Sequence, residues 1–261
     1  MITAIQDCVL VNQKHVFYKL FSYQGKSKYT LVLLHDSLGC VTLWRDWPEL
    51  LVEHLQCDVV VYDRVGYGLS DKMNTTKRGN DYLKQEAIFL KAFLAEIELT
   101  EVALFGHSDG ASIALLFASM YPEQTLALVA EAAHIFVEPI TLKGVQAAKT
   151  AYETTDLGER LIKYHGTKVD DIVKAWVDTW LSPAYKDWSV EEEMKHITSP
   201  LLFIQGDQDE YGSLDQVEKT ICKAQGVAEK VIFENIGHTP HKELKETTLE
   251  TIVSFFQKHI V

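Results

Sequence analysis

Short apolar runs recur along the chain, and each has the length of a strand buried on both faces. They cover residues 30–34, 58–63, 101–105, 126–130, 201–205 and 230–233. Ahead of them, residues 7–11 and 15–20 alternate between apolar and polar positions around a polar turn at 12–14. This alternation predicts an antiparallel hairpin that leads into a set of buried strands.

Helical patterns separate these runs. Residues 80–97 carry apolar side chains at helical spacing, and 214–224 and 242–259 are further amphipathic stretches. Alternating strands and helices indicate an α/β fold in which helices flank a mainly parallel sheet. With the hairpin included, the sheet is expected to have eight strands.

One interval departs from this alternation. Residues 134–198 contain no strand-like run, only helical periodicities at 140–154, 157–164 and 169–180. A simple crossover between parallel strands needs far fewer residues. We therefore predict a core domain formed by 1–133 and 199–261, with 134–198 inserted as a helical cap.

Aromatic residues concentrate in the predicted cap, and two interpretations stay open for them. They are Trp176, Trp180, Tyr185 and Trp188. All of them could pack the cap onto the core, or some, with Trp180 as the candidate, could face a substrate pocket.

Charge and composition narrow the classes of partner. Lys and Arg number 25 against 37 Asp and Glu, which gives a formal net charge of −12 in 261 residues. This charge disfavours nucleic acid and anionic membrane as partners. No apolar run reaches membrane-spanning length, and residues 1–7 do not resemble a secretory signal. Four scattered cysteines suit a reducing compartment, so we expect a cytoplasmic protein.

The pentapeptide Gly106-His107-Ser108-Asp109-Gly110 has the form G-x-S-x-G. The apolar run 102–105 precedes it, and residues 111–120, which lack Pro and Gly, follow it. Strand, tight turn and helix form the context of a nucleophile elbow, in which a serine hydroxyl projects above the sheet. Ser108 is therefore the candidate nucleophile.

A serine nucleophile needs a base, and the base needs a carboxylate that orients it. In folds with a nucleophile elbow, the carboxylate follows the serine along the chain and the histidine follows the carboxylate. Asp209 follows the run 201–205 and is the candidate acid, with Asp207 as the alternative. His238 follows the run 230–233 and is the candidate base, with His241 as the weaker alternative.

Acyl transfer also requires donors for the developing oxyanion. One is expected to be the backbone N–H of Asp109, the residue after the nucleophile. The other should come from the loop 35–39, where Ser37 is the first candidate and Leu38 the alternative.

Together these segments resemble the α/β-hydrolase fold superfamily over essentially the whole chain. The likeness includes residues 62–70, whose Asp-Arg-x-Gly-Tyr-Gly-x-Ser pattern has a structural role in that superfamily. Ser-Asp-Gly at the elbow is similar to the valacyclovir-hydrolase-like branch of serine esterases, which cleaves amino-acid esters. That resemblance implies that the Asp109 side chain binds a substrate ammonium group, although it could equally be solvated or internally bonded.

The loop 35–39 departs from the superfamily pattern, because Asp36 stands where relatives usually have glycine. Asp adopts a left-handed backbone more easily than most residues, which predicts that the loop keeps its shape. Asp36 is also a candidate substrate-binding residue, together with Asp109 and Trp180.

The sequence therefore predicts a serine hydrolase that cleaves a small carboxylic ester through an acyl-enzyme, without metal or organic cofactor. A carbon–carbon bond hydrolase acting on a diketone uses the same triad and is the nearest alternative. A non-catalytic ligand-binding receptor on the same fold is the second. The natural ester, the pocket-lining cap residues and the oligomeric state are not readable from one chain.

Overall fold

A computed structural model describes residues 2–260, and its strands form a single eight-stranded sheet. The strands are Thr3–Val11 (β1), Lys14–Ser22 (β2), Thr30–Leu34 (β3), Asp58–Tyr62 (β4), Val102–His107 (β5), Thr125–Glu131 (β6), Leu201–Gly206 (β7) and Ala228–Phe233 (β8). Their order is β1-β2-β4-β3-β5-β6-β7-β8. Only β1 and β2 run antiparallel to their neighbours, so the predicted fold class is confirmed. Met1 and Val261, the outer limits of the predicted core domain, lie outside the described residues.

Helices cover both faces of this sheet. They are Trp47–Leu55 (α1), Tyr82–Glu96 (α2), Asp109–Met120 (α3), Pro139–Thr154 (α4), Leu157–His165 (α5), Val169–Trp180 (α6), Leu214–Lys223 (α7), Pro240–Glu243 (α8) and Lys245–His259 (α9). Side chains of β3 and β5 alternate between two buried apolar clusters, one beneath α2 and α3 and the other beneath α1 and α9. This two-sided burial explains why the central strands are continuous apolar runs.

Two features of the helices differ from the sequence prediction. Helix α1 was not predicted, although its buried residues Trp47, Leu51, Val52 and Leu55 have helical spacing. The C-terminal helix predicted over 242–259 is divided at Leu244 into α8 and α9. The carboxylate of Glu243 accepts the N–H groups of Gly237 and Thr239, at the start of α8.

Helices α4 to α6 and three short 3-10 turns fill the interval between β6 and β7. The rings of Tyr185 and Trp188 stack with a centroid separation of 5.1 Å, and Trp180 contacts both edge-on. Among residues 2–260, none of the helices combines the length and apolarity needed to cross a bilayer.

Candidate active site

The site lies where the direction of strand succession reverses in the sheet. β3 has β4 on one side and β5 on the other, so the loops after β3 and β5 leave the sheet edge side by side. Open α/β sheets bind their ligands in the crevice at such a point. The loop after β3 carries residues 35–39, and the turn after β5 carries Ser108.

Ser108 occupies a strained turn between β5 and α3. Its φ of 56° and ψ of −121° lie in a region that non-glycine residues rarely adopt. A Cβ on Gly106 would lie 2.3 Å from the carbonyl oxygen of Gly110. A Cβ on Gly110 would lie 2.0 Å from the carbonyl oxygen of Leu34. Both glycines of the pentapeptide are therefore required by the close approach of backbone to backbone.

Gly110→Ala is expected to destabilise the protein by about 3 kcal/mol or more, because the obstructing atoms belong to the paired backbone of β3 and cannot move aside. Urea unfolding would measure the loss. Gly158→Ala is the control, since its Cβ would meet only the movable ring of Tyr152 at 3.1 Å. Equal stability of the two variants would contradict this account of the elbow.

Ser108, His238 and Asp209 form one hydrogen-bonded chain. The Oγ of Ser108 lies 3.0 Å from Nε2 of His238. Nδ1 of His238 lies 2.9 Å from both carboxylate oxygens of Asp209. Asp209 is fixed in turn, because its Oδ1 accepts the backbone N–H groups of Tyr211 and Gly212. An aspartate that accepts from Nδ1 leaves Nε2 free to accept the proton of the serine hydroxyl.

Burial and charge act in opposite directions on this pair. Burial alone would lower the pKa of His238, but the charge and hydrogen bond of Asp209 outweigh it, so the pKa is raised above 6.5. Burial would likewise raise the pKa of Asp209, and His238 instead brings it below its ordinary value. The aspartate is therefore ionised at neutral pH, as a group that stabilises an imidazolium must be.

The two alternative residues lie elsewhere. Asp207 is exposed, and its Oδ1 accepts the N–H of Asn235, which is a turn-forming contact. His241 is buried, and its Nδ1 lies 2.6 Å from the carboxylate of Glu131. Neither side chain has a hydrogen bond to Ser108, so the geometry favours Asp209 and His238.

Two backbone N–H groups border the site beside Ser108. Within residues 2–260, those of Ser37 and Asp109 have no hydrogen-bond acceptor. The N–H of Leu38 is already donated to Oδ1 of Asp36 at 2.7 Å, which leaves Ser37 as the available donor of that loop.

The backbone at Asp36 is not left-handed. Asp36 is not among the non-glycine residues of positive φ in the described chain. Its side chain instead accepts the N–H two residues later, as in an Asx turn, and this bond holds the loop.

The carboxylate of Asp109 is buried and internally bonded. Its Oδ1 accepts the hydroxyl of Tyr82 at 3.1 Å, and that hydroxyl accepts the indole N–H of Trp180 at 2.8 Å. Nη1 of the buried Arg64 lies 3.7 Å from Oδ2 of Asp109. Oδ2 has no hydrogen-bond partner in the described structure. The positive charge of Arg64 therefore already balances much of the negative charge of Asp109 that would otherwise attract a substrate ammonium group.

A cavity of about 230 Å³ opens above Ser108. Helices α4 and α6 line it with Thr141, Val145, Trp176 and Trp180. Asp36, Asp109 and Glu210 are the acidic residues of its lining, whereas no Lys or Arg among residues 2–260 lines it. The volume lies below the usual range for drug-sized ligands, so the cavity suits a small group. Because its lining holds acidic residues and no Lys or Arg of residues 2–260, the cavity suits a group without negative charge.

A second polar cluster lies behind the cavity. His107, Glu131 and His241 are buried and close enough to hold a metal ion. Both oxygens of Glu131 already accept from His241, and Nε2 of His107 already contacts the carbonyl oxygen of His238 at 2.9 Å. We therefore interpret the cluster as a hydrogen-bond network.

The comparison with known families agrees with this geometry. The family model described as alpha/beta hydrolase fold matches residues 29–160. The chain belongs to the alpha/beta hydrolase fold family. The valacyclovir-hydrolase-like branch within it stays a prediction.

This alpha/beta hydrolase is similar to one curated protein in sequence and to two solved structures in fold. The chain is 24% identical to a proline iminopeptidase of Saccharolobus solfataricus, over 94% of the chain and 89% of the relative. A bacterial membrane phospholipase A has a similar structure, with a TM-score of 0.80 and 22% identity. The match covers 98% of this chain and 86% of the phospholipase chain. A 2-hydroxy-6-oxo-6-phenylhexa-2,4-dienoate hydrolase from a Rhodococcus strain also has a similar structure, with a TM-score of 0.81 and 14% identity. The match covers 98% of this chain and 100% of that hydrolase. At these identities the two structures show the shared fold alone.

The Asp-Arg-x-Gly-Tyr-Gly-x-Ser segment of this hydrolase has structural contacts. The Asp63 carboxylate accepts the N–H groups of Val41 and Leu69, both at 2.7 Å. Gly68 has a φ of +44°, and a Cβ there would overlap that carboxylate. Arg64 donates to the carbonyl oxygen of Asp36 at 2.8 Å and so ties this segment to the loop beside Ser108.

Sequence reasoning missed several residues of the site, among them His107, Glu131, His134 and Tyr211. Nε2 of His134 lies 3.0 Å from the carbonyl oxygen of Tyr211, and both residues line the cavity. Glu131 ends an otherwise apolar strand, and a charged residue in that position is a signal that could have identified it.

Proposed function

We propose that this alpha/beta hydrolase is a serine hydrolase that cleaves a small, uncharged carboxylic ester. The observation that carries the proposal is the unbroken hydrogen-bond chain from Ser108 Oγ through His238 to Asp209, at the floor of a small cavity. A hydroxyl, a base and an orienting carboxylate in this order form the arrangement that activates serine.

In the proposed reaction, Nε2 of His238 takes the proton of Ser108 while Oγ attacks the ester carbonyl. The N–H groups of Ser37 and Asp109 hold the resulting oxyanion. His238 then donates its proton to the leaving alcohol, which leaves an acyl group on Ser108. Water activated by the same histidine releases the acid and restores the free serine.

The charge of the cavity bears on the alternatives. The Rhodococcus relative is named for a dienoate, which is a carboxylate, and recognition of a carboxylate normally uses Arg or Lys. Among residues 2–260 no Lys or Arg lines this cavity, and this lack of a cationic side chain disfavours an anionic diketone substrate. Glu210 is exposed and lines the cavity, which supports an aminoacyl ester or amide as a second candidate, and one relative is named a proline iminopeptidase.

A panel of chromogenic substrates would test the proposal. We expect turnover of p-nitrophenyl acetate and butyrate, less of the octanoate, and none of an anionic succinate monoester. Proline p-nitroanilide tests the second candidate. Hydrolysis of a vinylogous diketone without any ester turnover would contradict the proposal, and an intact but inert protein would favour the receptor alternative.

The pH dependence of kcat/KM is expected to follow the protonation of His238, the catalytic base of the proposed reaction. His238 works only when deprotonated, and its pKa is raised above 6.5. Activity should therefore rise with pH through a single limb centred above pH 6.5 and be lost as the pH falls below it. Initial rates with p-nitrophenyl butyrate across a pH series would show this, and a limb centred below 6.5 would contradict it.

A further inference from the structure

The ring of His165, the last residue of α5, bridges the loops that follow β3 and β4. Its Nδ1 accepts the backbone N–H of Gly68 at 3.0 Å. Its Nε2 lies 3.0 Å from the carbonyl oxygen of Leu38. Because a backbone N–H can only donate, Nδ1 holds a lone pair, and the ring proton is on Nε2, which donates to Leu38. The two contacts therefore fix both the neutral state of the ring and its tautomer.

The surroundings of His165 agree with a neutral ring. Burial lowers the pKa of His165 below 6.5 and outweighs the hydrogen bond to the Leu38 carbonyl oxygen, which acts in the opposite direction. The charge of Lys168 acts together with burial, and the charge of Asp36 acts against it. The ring is therefore uncharged at neutral pH, and both hydrogen bonds can persist there.

Lys168 lies three residues further along and contacts only one of the two loops. Its Nζ donates to three backbone carbonyl oxygens of the loop after β4, those of Tyr67, Gly68 and Ser70, at 3.1, 2.7 and 2.5 Å. Within residues 2–260, none of its hydrogen bonds reaches residues 35–39, here named the oxyanion loop. Of this pair, His165 alone joins the oxyanion loop to α5.

The Leu38 carbonyl that His165 holds is connected to the Ser37 N–H through two peptide groups. The carbonyl of Leu38 and the N–H of Gly39 belong to one planar trans peptide, so they point in opposite directions. That N–H donates to the carbonyl oxygen of Asp36 at 3.3 Å. The Asp36 carbonyl and the Ser37 N–H belong to one peptide in the same way. The Ser37 N–H is therefore the free end of a hydrogen-bonded chain that passes through His165.

The hydrogen bonds of this chain all run in the same direction, toward the site. Hydrogen bonds arranged head to tail polarise one another, so the last N–H becomes a better donor to an oxyanion. The Asp36 carbonyl oxygen has two further contacts, with Nη2 of Arg64 and Nδ1 of His35, both at 2.8 Å. Loss of the His165 bond should therefore weaken the alignment of the Ser37 N–H without abolishing it.

We propose that His165 is a positioning residue of the oxyanion hole, where it holds the oxyanion loop by the Leu38 carbonyl and so aligns the Ser37 N–H. This role rests on the proposed function. The interval between β6 and β7, whose helices α4 and α6 line the cavity, thereby also sets the direction of one oxyanion donor.

Two substitutions separate the two hydrogen bonds of His165. The Oδ1 of asparagine is two bonds from Cβ, as Nδ1 of histidine is, so His165→Asn can keep the bond to Gly68 but does not reach Leu38. The Nε2 of glutamine is three bonds from Cβ, as Nε2 of histidine is, so His165→Gln can keep the bond to Leu38. We expect His165→Asn to lower kcat by roughly tenfold, a part of the cost of losing one oxyanion donor, with KM within about twofold. His165→Gln should keep kcat within about twofold of the wild type.

A propyl trifluoromethyl ketone provides a readout that a merely structural role would not change. When Oγ of Ser108 adds to its carbonyl carbon, the hydroxyl proton passes to His238, and the carbonyl oxygen becomes an oxyanion beside the Ser37 N–H. Its inhibition constant should rise in His165→Asn by the factor by which kcat/KM falls, because the adduct resembles the transition state. The matched methyl ketone binds without this charge, so its inhibition constant should stay within about twofold.

Lys168→Met is the matched control, since it removes three hydrogen bonds to the loop after β4 and none to the oxyanion loop. It should lower the urea midpoint of unfolding, because three buried carbonyl oxygens lose their donor. Its kcat and its affinity for the trifluoromethyl ketone should stay within about threefold of the wild type.

Unchanged kcat and unchanged trifluoromethyl ketone affinity in His165→Asn would overturn the proposal. Losses in His165→Gln or Lys168→Met as large as those in His165→Asn would overturn it as well, because they would indicate a general structural role. A wild type that is inactive on every ester contradicts the proposed function, and the positioning role is then wrong with it. An active wild type with an unaffected His165→Asn contradicts the positioning role alone.

Discussion

Ser108→Ala is expected to reduce ester turnover by about a million-fold while the protein stays folded. The hydroxyl is the group that bonds to the acyl carbon, and its Oγ is the atom that Nε2 of His238 faces at 3.0 Å. Removing it leaves cavity and oxyanion donors in place, so substrate would still bind. Steady-state kinetics with p-nitrophenyl butyrate would measure the loss.

Ser119→Ala is a suitable control for this substitution. Ser119 lies on α3, the helix that follows Ser108, and its hydroxyl donates to the carbonyl oxygen of Leu116 at 2.9 Å. It should retain turnover within about twofold, as substitutions remote from a site usually do. Substantial turnover by Ser108→Ala would show that a different group, or none, forms the acyl-enzyme.

Asp209→Asn is expected to lower kcat by about ten-thousandfold, the second-largest effect. Asparagine can still accept the N–H groups of Tyr211 and Gly212 through Oδ1, so the loop is preserved. The amide NH2 of the new asparagine then donates toward Nδ1 of His238. This contact favours the tautomer of His238 that carries its proton on Nε2. That tautomer cannot accept the proton of Ser108, and the imidazolium loses its counter-charge.

Asp207→Asn is the matched control, since Asp207 is the alternative acid on the same loop and is exposed. Its expected kcat lies within about twofold of the wild type. A large loss in Asp207→Asn together with a small one in Asp209→Asn would reverse the assignment of the two carboxylates.

The strand pattern could be predicted from sequence because two-sided burial leaves a local trace. Each central strand must be apolar at consecutive positions, as in β3 and β5. The elbow could be predicted for a similar reason, because Gly106 and Gly110 are imposed by backbone contacts that no other residue permits. Fixed order along the chain then identified Asp209 and His238 as candidates.

The remainder depends on contacts between distant segments. The break at Leu244 is not visible in the periodicity of the sequence. Beside it, the carboxylate of Glu243 accepts the backbone N–H of Gly237. The hydrogen bond from Tyr82 to Asp109 joins α2 to the elbow, and the hydrogen bond from Trp180 to Tyr82 joins α6 to α2. At Asp36 the loop does not use the left-handed backbone that aspartate tolerates, and a side-chain bond to the N–H of Leu38 holds it. Which residues line the cavity therefore follows from packing, not from spacing.

Covalent labelling by a fluorophosphonate tests the central claim most directly, because the probe reports an activated serine without requiring the natural substrate. Intact-mass analysis of the wild type should show one adduct per chain, and peptide mapping should place it on Ser108. Labelling should be lost in Ser108→Ala and slowed strongly in Asp209→Asn. An unlabelled wild type, or an adduct that persists in Ser108→Ala, would contradict the assignment of Ser108 as the nucleophile.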